Sequence, residues 1–488
     1  MSSSTISAFF AYFFILLLIG LCSYKKQKSS ADFIVGNRSL NFWVIALSAH
    51  ASDMSSWLFM AFPAMLYLRG VPQMWAGIGL LLGMFLNWQF IAIKLRKSTE
   101  QHNSYTLPSF FEKRFSDTSG IIRTTTAITS VLFLTSYLSA GLMSMGLLLE
   151  SIFGIDYYLG LGVATAVVVA YTFVGGFTTV AWTDLFQALF LLAVVIIVPT
   201  FAFLELPKGF QTLYTDTLAR NIDLSLVSSY STESFLTIIF LVFGWGLGYF
   251  GQPHIVTKFM GIRNTEELTK SKYVGMSWMV ITLSAAAFIG LVGISYFSEP
   301  LEKPELVFVE MVKNLFHPFI AGIFLCGVIS ATMSTMDSQI LVAASVLSED
   351  FYMQFKKKKI SVKQHLAITR ASVLVVSLTA LFISFYKSST ILDAVYYAWA
   401  GLGCSFGPLM LLSLYFKKAN KYGAIAGILT GGVIAGTWDL INPYVSSYPI
   451  PAMIPGFILS TFSIFFVSML TQQDQQYQQQ LEIIEQTE

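Results

Sequence analysis

The chain is poor in everything that makes a protein surface wettable. Only 11% of its 488 residues are Asp, Glu, Lys or Arg, less than half the share of about 25% in ordinary soluble domains. That scarcity excludes a soluble enzyme and a disordered chain. The 29 basic residues are nearly cancelled by 27 acidic ones, which excludes a basic nucleic-acid binder. Cysteine is scarce too. Cys22, Cys326 and Cys404 each lie inside an apolar run, so they read as small buried hydrophobes and offer neither a disulfide framework nor a metal spacing. The first apolar run, 6–24, lacks the marks of a cleaved leader: nothing basic precedes it, no small-residue cleavage site ends it, and Lys25, Lys26 and Lys28 follow. It is expected to be a retained span whose C-terminal end is cytoplasmic.

What is abundant is apolar: 55% of the residues are hydrophobic and 43 are Phe. Such a chain reads as an all-α polytopic membrane protein, and at about 20 residues per span roughly 12 to 15 helices fit. Thirteen candidates follow the apolar runs, at 6–24, 40–69, 72–95, 120–152, 156–176, 178–205, 233–260, 272–297, 313–350, 366–386, 389–416, 422–441 and 450–471. The basic clusters Lys94/Arg96/Lys97, Lys113/Arg114/Arg123, Lys258/Arg263/Lys270/Lys272, Lys356 to Lys359 and Lys417/Lys418/Lys421 all fall on one side of that topology. By the positive-inside rule that side is cytoplasmic, the N-terminus is outside and the C-terminus inside. The opposite loops carry only scattered basic residues such as Arg69, Lys208, Arg220, Lys303 and Lys387. The Gln-rich tail 472–488 is expected to be a cytoplasmic appendage, too short for a signalling domain.

Two spans stand apart. The 40–69 segment carries a polar knot, Ser48-Ala-His50-Ala-Ser52-Asp53-Met-Ser55-Ser56, and the 233–260 segment carries Gly244, Gly246, Gly248, Gly251 and Pro253. Glycine and proline weaken the helical ladder, and hydrocarbon tolerates broken backbone only where protein or a watery cavity satisfies the freed groups. Both are expected to be discontinuous at a binding site. They are five spans apart, an odd number, so equivalent helices cross in opposite directions. That is the arithmetic of an inverted repeat, 40–205 against 206–416, with 1–39 before it, two further helices in 417–471 and the tail 472–488 after it.

Intramembrane acids are expensive and point to function. Asp53, Asp184 and Asp337 lie inside expected spans, and Asp393 lies nearer an end. The densest oxygen cluster is Ser330-Ala331-Thr332-Met333-Ser334-Thr335-Met336-Asp337-Ser338. At 100° per residue Ser334, Asp337 and Ser338 share a face, and Ala331 and Thr335 a neighbouring one. Hydroxyls, carbonyls and a carboxylate suit a small hard cation; the alternative is that the hydroxyls only let helices approach and hydrogen-bond. His50 and His254 read as hydrogen-bonding core residues. Gly246-Leu-Gly248-Tyr-Phe-Gly251 matches GxGxxG but follows no strand. Trp245 and Tyr249, a turn apart beside the second break, either pack or wall a substrate pocket.

At these residues the chain resembles the sodium:solute symporter family. The likeness runs from Asp32-Phe-Ile-Val-Gly-Asn-Arg-Ser39 through Ala51-Ser-Asp-Met-Ser-Ser-Trp57, Thr106-Leu-Pro108, Trp182-Thr-Asp184, Gly244-Trp-Gly-Leu-Gly-Tyr-Phe-Gly-Gln-Pro-His254 and Ala331-Thr-Met-Ser-Thr335 to Ala398-Trp-Ala-Gly-Leu-Gly-Cys-Ser-Phe-Gly-Pro408. The resemblance implies a ten-helix core of two inverted five-helix repeats of the leucine-transporter type, with one helix before it and two after. It also implies a sodium-driven secondary transporter of the plasma membrane, the inner membrane in a Gram-negative cell, with no enzymatic activity. The likeness is greatest to the family's proline carriers, so L-proline is the implied solute. A sodium site carries over to the backbone of Ala51 and Met54 with Ala331, Ser334 and Thr335, and Asp53 matches an acid needed for sodium. A second sodium position found in some members carries over to Asp184, Ser334, Asp337 and Ser338. The solute pocket carries over to Ser55, Ser56, Trp57, Tyr137, Trp245, Tyr249 and Pro253. The chain departs from the pattern at Ser56, where proline carriers usually have glycine, and at His50, which replaces a small residue. Either is expected to narrow the pocket or change its preference. Sodium, a small solute and membrane lipid are the expected partners, with no nucleic acid and no required protein. The rival readings are the same fold carrying another amino acid, a sugar or a carboxylate, a channel, or a transporter-like sensor.

Overall fold

The computed structural model describes residues 3–23, 29–174, 176–352, 354, 361–386 and 390–471. Lys25, Lys26, Lys28, Lys356 to Lys359, Lys387 and the tail 472–488 lie outside the described residues. Among the described residues every regular element is helical, and the only pairings of extended backbone are the isolated bridges Leu40–Ile262 and Gly70–Asp223. The main helices are α1 (Ser3–Ser23), α2 (Phe42–Met54), α3 (Ala61–Arg69), α4 (Met74–Asn87), α5 (Ile121–Phe153), α6 (Tyr157–Val174), α7 (Phe177–Leu204), α8 (Thr232–Gly246), α9 (Pro253–Met260), α10 (Glu267–Tyr296), α11 (Pro318–Ser345), α12 (Val362–Ser384), α13 (Ile391–Tyr415), α14 (Lys421–Val445) and α15 (Met453–Leu470). Among the described residues, eleven helical segments are long and apolar enough to cross a membrane. The two other expected spans are the shorter α6 and the interrupted α2–α3 pair.

Polarity is distributed as lipid demands. Large apolar side chains such as Phe10, Leu204 and Leu440 point outward, each more than 70% exposed. Ser48, Ser52, Asp184 and Asp337 are wholly buried. A molecule with hydroxyls and carboxylates inside and Phe and Leu outside is stable only where hydrocarbon surrounds it.

Both expected interruptions are present. Asn41 caps α2 by accepting from Val44 N–H at 3.0 Å, and the helix stops at Ser55, whose φ of 46° no helix continues. A residue held in such a region costs of order 1–3 kcal/mol unless its surroundings fix it. Here Ser55 N–H donates to Thr335 Oγ1 at 3.0 Å, and Ser55 Oγ accepts from Trp57 N–H at 3.2 Å. The second interruption runs through a 3-10 turn, Leu247–Gly251, into extended Gln252 and then α9. Its glycines permit close approach. A Cβ on Gly83 of α4 would land on the Gly246 carbonyl, and one on Gly248 would land on the Trp399 indole of α13. Small residues at crossings are how membrane helices reach this distance. The ends of the two broken helices are also tied together: Leu40 N–H donates to Gly261 O at 3.2 Å and Arg263 N–H to Leu40 O at 2.9 Å.

His50 does not narrow a pocket. Its ring lies between Trp88 and Trp278, with centroids 6.2 and 6.0 Å away, and Nε2 accepts from Trp88 Nε1 at 3.3 Å. Gly275 on α10 makes the room, because a Cβ there would overlap the imidazole. Gly275→Val is therefore expected to lower the thermal stability of the purified protein by about 1–3 kcal/mol, the usual cost of overpacking. Adding His50→Ala should restore most of it. An unchanged melting temperature in the single variant would contradict this packing.

Candidate functional site

Four groups expected at the sodium position come together between α2 and α11. Ser334 Oγ donates to Ala51 O at 2.8 Å and lies 3.0 Å from Ala331 O. Thr335 Oγ1 is 3.1 Å from Ala331 O and 3.5 Å from Ala51 O. Ala331, Ser334 and Thr335 fall on adjacent turns of one helix, and Ala51 O is left without its helical partner because α2 ends three residues later. Two carbonyls and two hydroxyls in one buried cluster form an all-oxygen donor set for a small monovalent cation. Met54 and Asp53 instead line the adjoining cavity, and the Asp53 carboxylate accepts a short hydrogen bond from the Tyr249 hydroxyl. The two broken helices are thus joined at their breaks.

That cavity is walled by Asp53, Met54, Trp57, Leu80, Tyr137, Trp245, Tyr249, Val395 and Trp399. Trp245 meets Trp57 with centroids 5.3 Å apart, and Tyr249 meets Trp399 edge-on at 5.1 Å. The free space is about 20 Å³, room for a water or two, so the site is closed tightly around its centre. Of the seven residues expected in the solute pocket, Trp57, Tyr137, Trp245 and Tyr249 line it. Ser55 holds the break and also hydrogen-bonds the side chain of the cavity residue Tyr137, and Pro253 borders a separate crevice with Thr106 and Thr257.

Ser56 also turns away, correcting the expectation that it narrows the pocket: its hydroxyl donates to Ser144 Oγ of α5 at 2.7 Å. Its role is to anchor the break to a neighbouring helix. Ser56→Gly is expected to leave solute affinity within about twofold while lowering stability by about 1 kcal/mol, the net worth of one hydrogen bond. Tighter solute binding by that variant would reinstate the narrowing.

The second expected ion position is divided. Asp337 Oδ1 accepts from Thr172 of α6 at 2.9 Å, whereas Ser338 Oγ lies 2.8 Å from Ser52 Oγ of α2. Adjacent residues on a helix diverge by 100°, so the two face different neighbours. Asp184 Oδ2 accepts from Ser48 Oγ at 2.7 Å, from Ser52 Oγ at 3.3 Å and from the Lys258 ammonium at 2.9 Å. Lys258 is therefore no surface topology marker, as its grouping with Arg263, Lys270 and Lys272 had it, but a buried cation. The available signal was its place inside the expected 233–260 span. Trp399 and Gln252 were also missed as site residues. The Trp399 indole donates to Trp245 O at 3.0 Å, and Gln252 Nε2 donates to Gly248 O and Trp399 O at 3.2 and 3.0 Å. They satisfy Trp245 O and Gly248 O at the second break and tie it to α13.

Two interrupted helices meeting at their breaks, an aromatic cavity between them and a buried oxygen cluster beside it define a membrane carrier with its site at mid-depth. The profile of the "Sodium:solute symporter family" matches residues 33–431. The high-affinity proline transporter PutP of Bacillus subtilis is 42% identical over 461 residues, covering 94% of this chain and 96% of that protein. The osmoregulated proline transporter OpuE of the same organism is 40% identical, covering 96% of each. Sodium/proline symporter 2 of Staphylococcus saprophyticus is 40% identical over 94% of this chain and 91% of its own. Among solved structures, a Na+-coupled sialic acid symporter in a substrate-bound outward-open state superposes with a TM-score of 0.81 at 18% identity, over 96% of this chain and 98% of that one. MhsT in complex with L-phenylalanine superposes at 0.55 and 12% identity, over 87% and 97%. The chain belongs to the sodium:solute symporter family.

Proposed function

We propose that the chain imports L-proline with sodium across the plasma membrane by alternating access, with thirteen crossings, an outside N-terminus and a cytoplasmic C-terminus. The two interruptions occupy equivalent places in the inverted repeats 40–205 and 206–416. The observation that carries the reading is the junction of the breaks: Ala51, Ala331, Ser334 and Thr335 supply oxygens on one side of α2, and Asp53 reaches Tyr249 in the cavity on the other.

Sodium at the oxygen cluster replaces the hydroxyl hydrogens that now point at Ala51 O and Ala331 O, and it ties α2 to α11. Thr335 also holds Ser55 N–H, so the same hydroxyl senses the ion and shapes the start of the solute pocket. The lining of the cavity suits a small zwitterion with an apolar ring, which the walls must part to admit. Its walls are aromatic, the Asp53 carboxylate accepts from a secondary ammonium, and Trp57 Nε1, buried and unpartnered among the described residues, donates to a carboxylate. Coupling is the difference in ion affinity between the outward and inward states. The similarity to two proline transporters and a sodium/proline symporter supports the choice of solute.

The deciding experiment is proline uptake into proteoliposomes. An inward sodium gradient is expected to drive accumulation, and dissipating it to abolish accumulation. Uptake that ignores sodium, or no uptake of proline beside uptake of another solute, would overturn the reading.

A further inference from the structure

The place that the family resemblance marks for a second sodium ion already holds a positive charge. Lys258 enters it from α9, with its side chain 2% exposed, and its Nζ lies 2.9 Å from Asp184 Oδ2, whose side chain is wholly buried. Ser48 and Ser52 of α2 bond the same carboxylate oxygen, and Ser338 of α11 bonds Ser52. One ammonium and the oxygens of three other helices thus form a single buried cluster. The Phe177 ring faces the ammonium with its centroid 5.3 Å from Nζ, adding the attraction of a π face for a cation.

We propose that the Lys258 ammonium is the permanent occupant of this second cation position, so that the carrier couples one sodium ion, and not two, to each solute molecule. A carboxylate buried in a membrane protein needs a counter-charge. Either an ion loaded from solution or a tethered cation supplies it, and both carry one unit. The ammonium brings three donors and no acceptor, which matches a carboxylate that already receives two serine hydroxyls. Because it is covalently attached, it neither enters nor leaves during a cycle. Only the Ala51–Ser334 position then loads and releases. Lys258 is a positioning residue: it holds the second half of one broken helix against α2 and α7 without touching the solute cavity.

The inference rests on the sodium-coupled reading above, and its test separates the two. In proteoliposomes the ratio of labelled sodium to labelled proline taken up is measured at fixed membrane potential, with the Hill coefficient for sodium. The wild type is expected to give one sodium per proline and a coefficient near one. Lys258→Gln leaves Asp184 beside three serine hydroxyls with no fixed cation. Its ratio is expected to approach two, its coefficient to rise above one, and its half-saturating sodium concentration to increase several-fold. Lys258→Met combined with Asp184→Asn removes both charges and should return the ratio to one. A merely structural lysine would lower the melting temperature without moving the ratio.

Two sodium ions per proline in the wild type, or one in a transporting Lys258→Gln variant, overturns the proposal. If Lys258→Gln folds without transporting, equilibrium binding of labelled sodium decides: two bound ions support it and one overturns it. If that variant cannot be purified, the wild-type ratio decides alone. Sodium-independent proline uptake would instead sink the symport reading itself.

Discussion

Ser334→Ala and Thr335→Ala are each expected to raise the sodium concentration for half-maximal proline uptake by about ten- to a hundredfold. Each removes one oxygen from a buried cluster of four. A hydrogen bond or ligand to a charged group is worth about 1.5–3 kcal/mol, and every 1.4 kcal/mol is about tenfold in affinity. The loss should be specific to the ion. At saturating sodium, proline affinity of Ser334→Ala is expected to return close to wild type, because the Ser334 hydroxyl bonds Ala51 O and Ala331 O and does not line the cavity. Thr335→Ala should recover less completely, since it also leaves Ser55 N–H unpartnered at the break. Linkage requires the reciprocal effect: at low sodium both variants bind proline more weakly. Asp53→Asn should cost more than either, because it removes charge beside the ion and breaks the contact with Tyr249. Sodium dependence unchanged in both hydroxyl variants would exclude this cluster as the coupling site.

The breaks were legible because they are written in residue types with few other uses in a membrane span. Gly244 to Gly251 with Pro253, and the serines around Asp53, cannot sustain a lipid-facing helix, so their position alone marked the two interruptions. The Ala331–Thr335 oxygens were legible for a similar reason: adjacent turns of one helix put them together whatever the partner. What could not be read was the direction of side chains at the breaks themselves. Helical periodicity fails where the helix fails, and so Ser55 and Ser56 were expected in the pocket although one braces the break and the other reaches Ser144. Asp337 and Ser338 were placed on one helical face and joined in a second ion position by the resemblance, yet 100° of rotation sends one to Thr172 and the other to Ser52. Trp399 and Gln252 act through contacts with distant helices that no spacing reports.

Lys258 shows a different failure. Counting basic residues by sequence cluster assigns topology well when the residues are in loops, but the rule carries no information about a lysine within a span. Its cluster mates Arg263 and Lys270 follow the end of α9, while Lys258 lies inside it, buried against Asp184. The consequence is mechanical as well as electrostatic. α2 now carries three attachments within six residues: Ser48 and Ser52 to the Asp184–Lys258 pair, Ala51 to Ser334, and Asp53 to Tyr249. An ion that binds at the middle one acts on a helix whose other contacts are already fixed, and its free energy goes into the geometry of the break.

Trp245→Ala and Tyr249→Ala are expected to weaken proline binding more than tenfold while sparing sodium affinity measured without proline. Both rings face the cavity and neither touches the Ala51–Ser334 cluster. Truncating a buried aromatic costs about 3–5 kcal/mol in a packed core, so even a third of that effect reaches tenfold. The two variants should differ in kind. Trp245 contributes surface, packed on Trp57 and Tyr396, so Trp245→Phe is expected to keep much of the affinity. Tyr249 contributes its hydroxyl as well as its ring, and Tyr249→Phe leaves the Asp53 carboxylate without that donor. It should therefore weaken coupling, with sodium enhancing proline binding less than in the wild type, although the ring remains and sodium affinity without proline is spared. Binding of labelled proline at several sodium concentrations reads both quantities. If Trp245→Ala and Tyr249→Ala bind proline as the wild type does, the aromatic cavity is not the solute site; if proline affinity falls and sodium affinity falls equally, the residues support the fold of the breaks and not the solute.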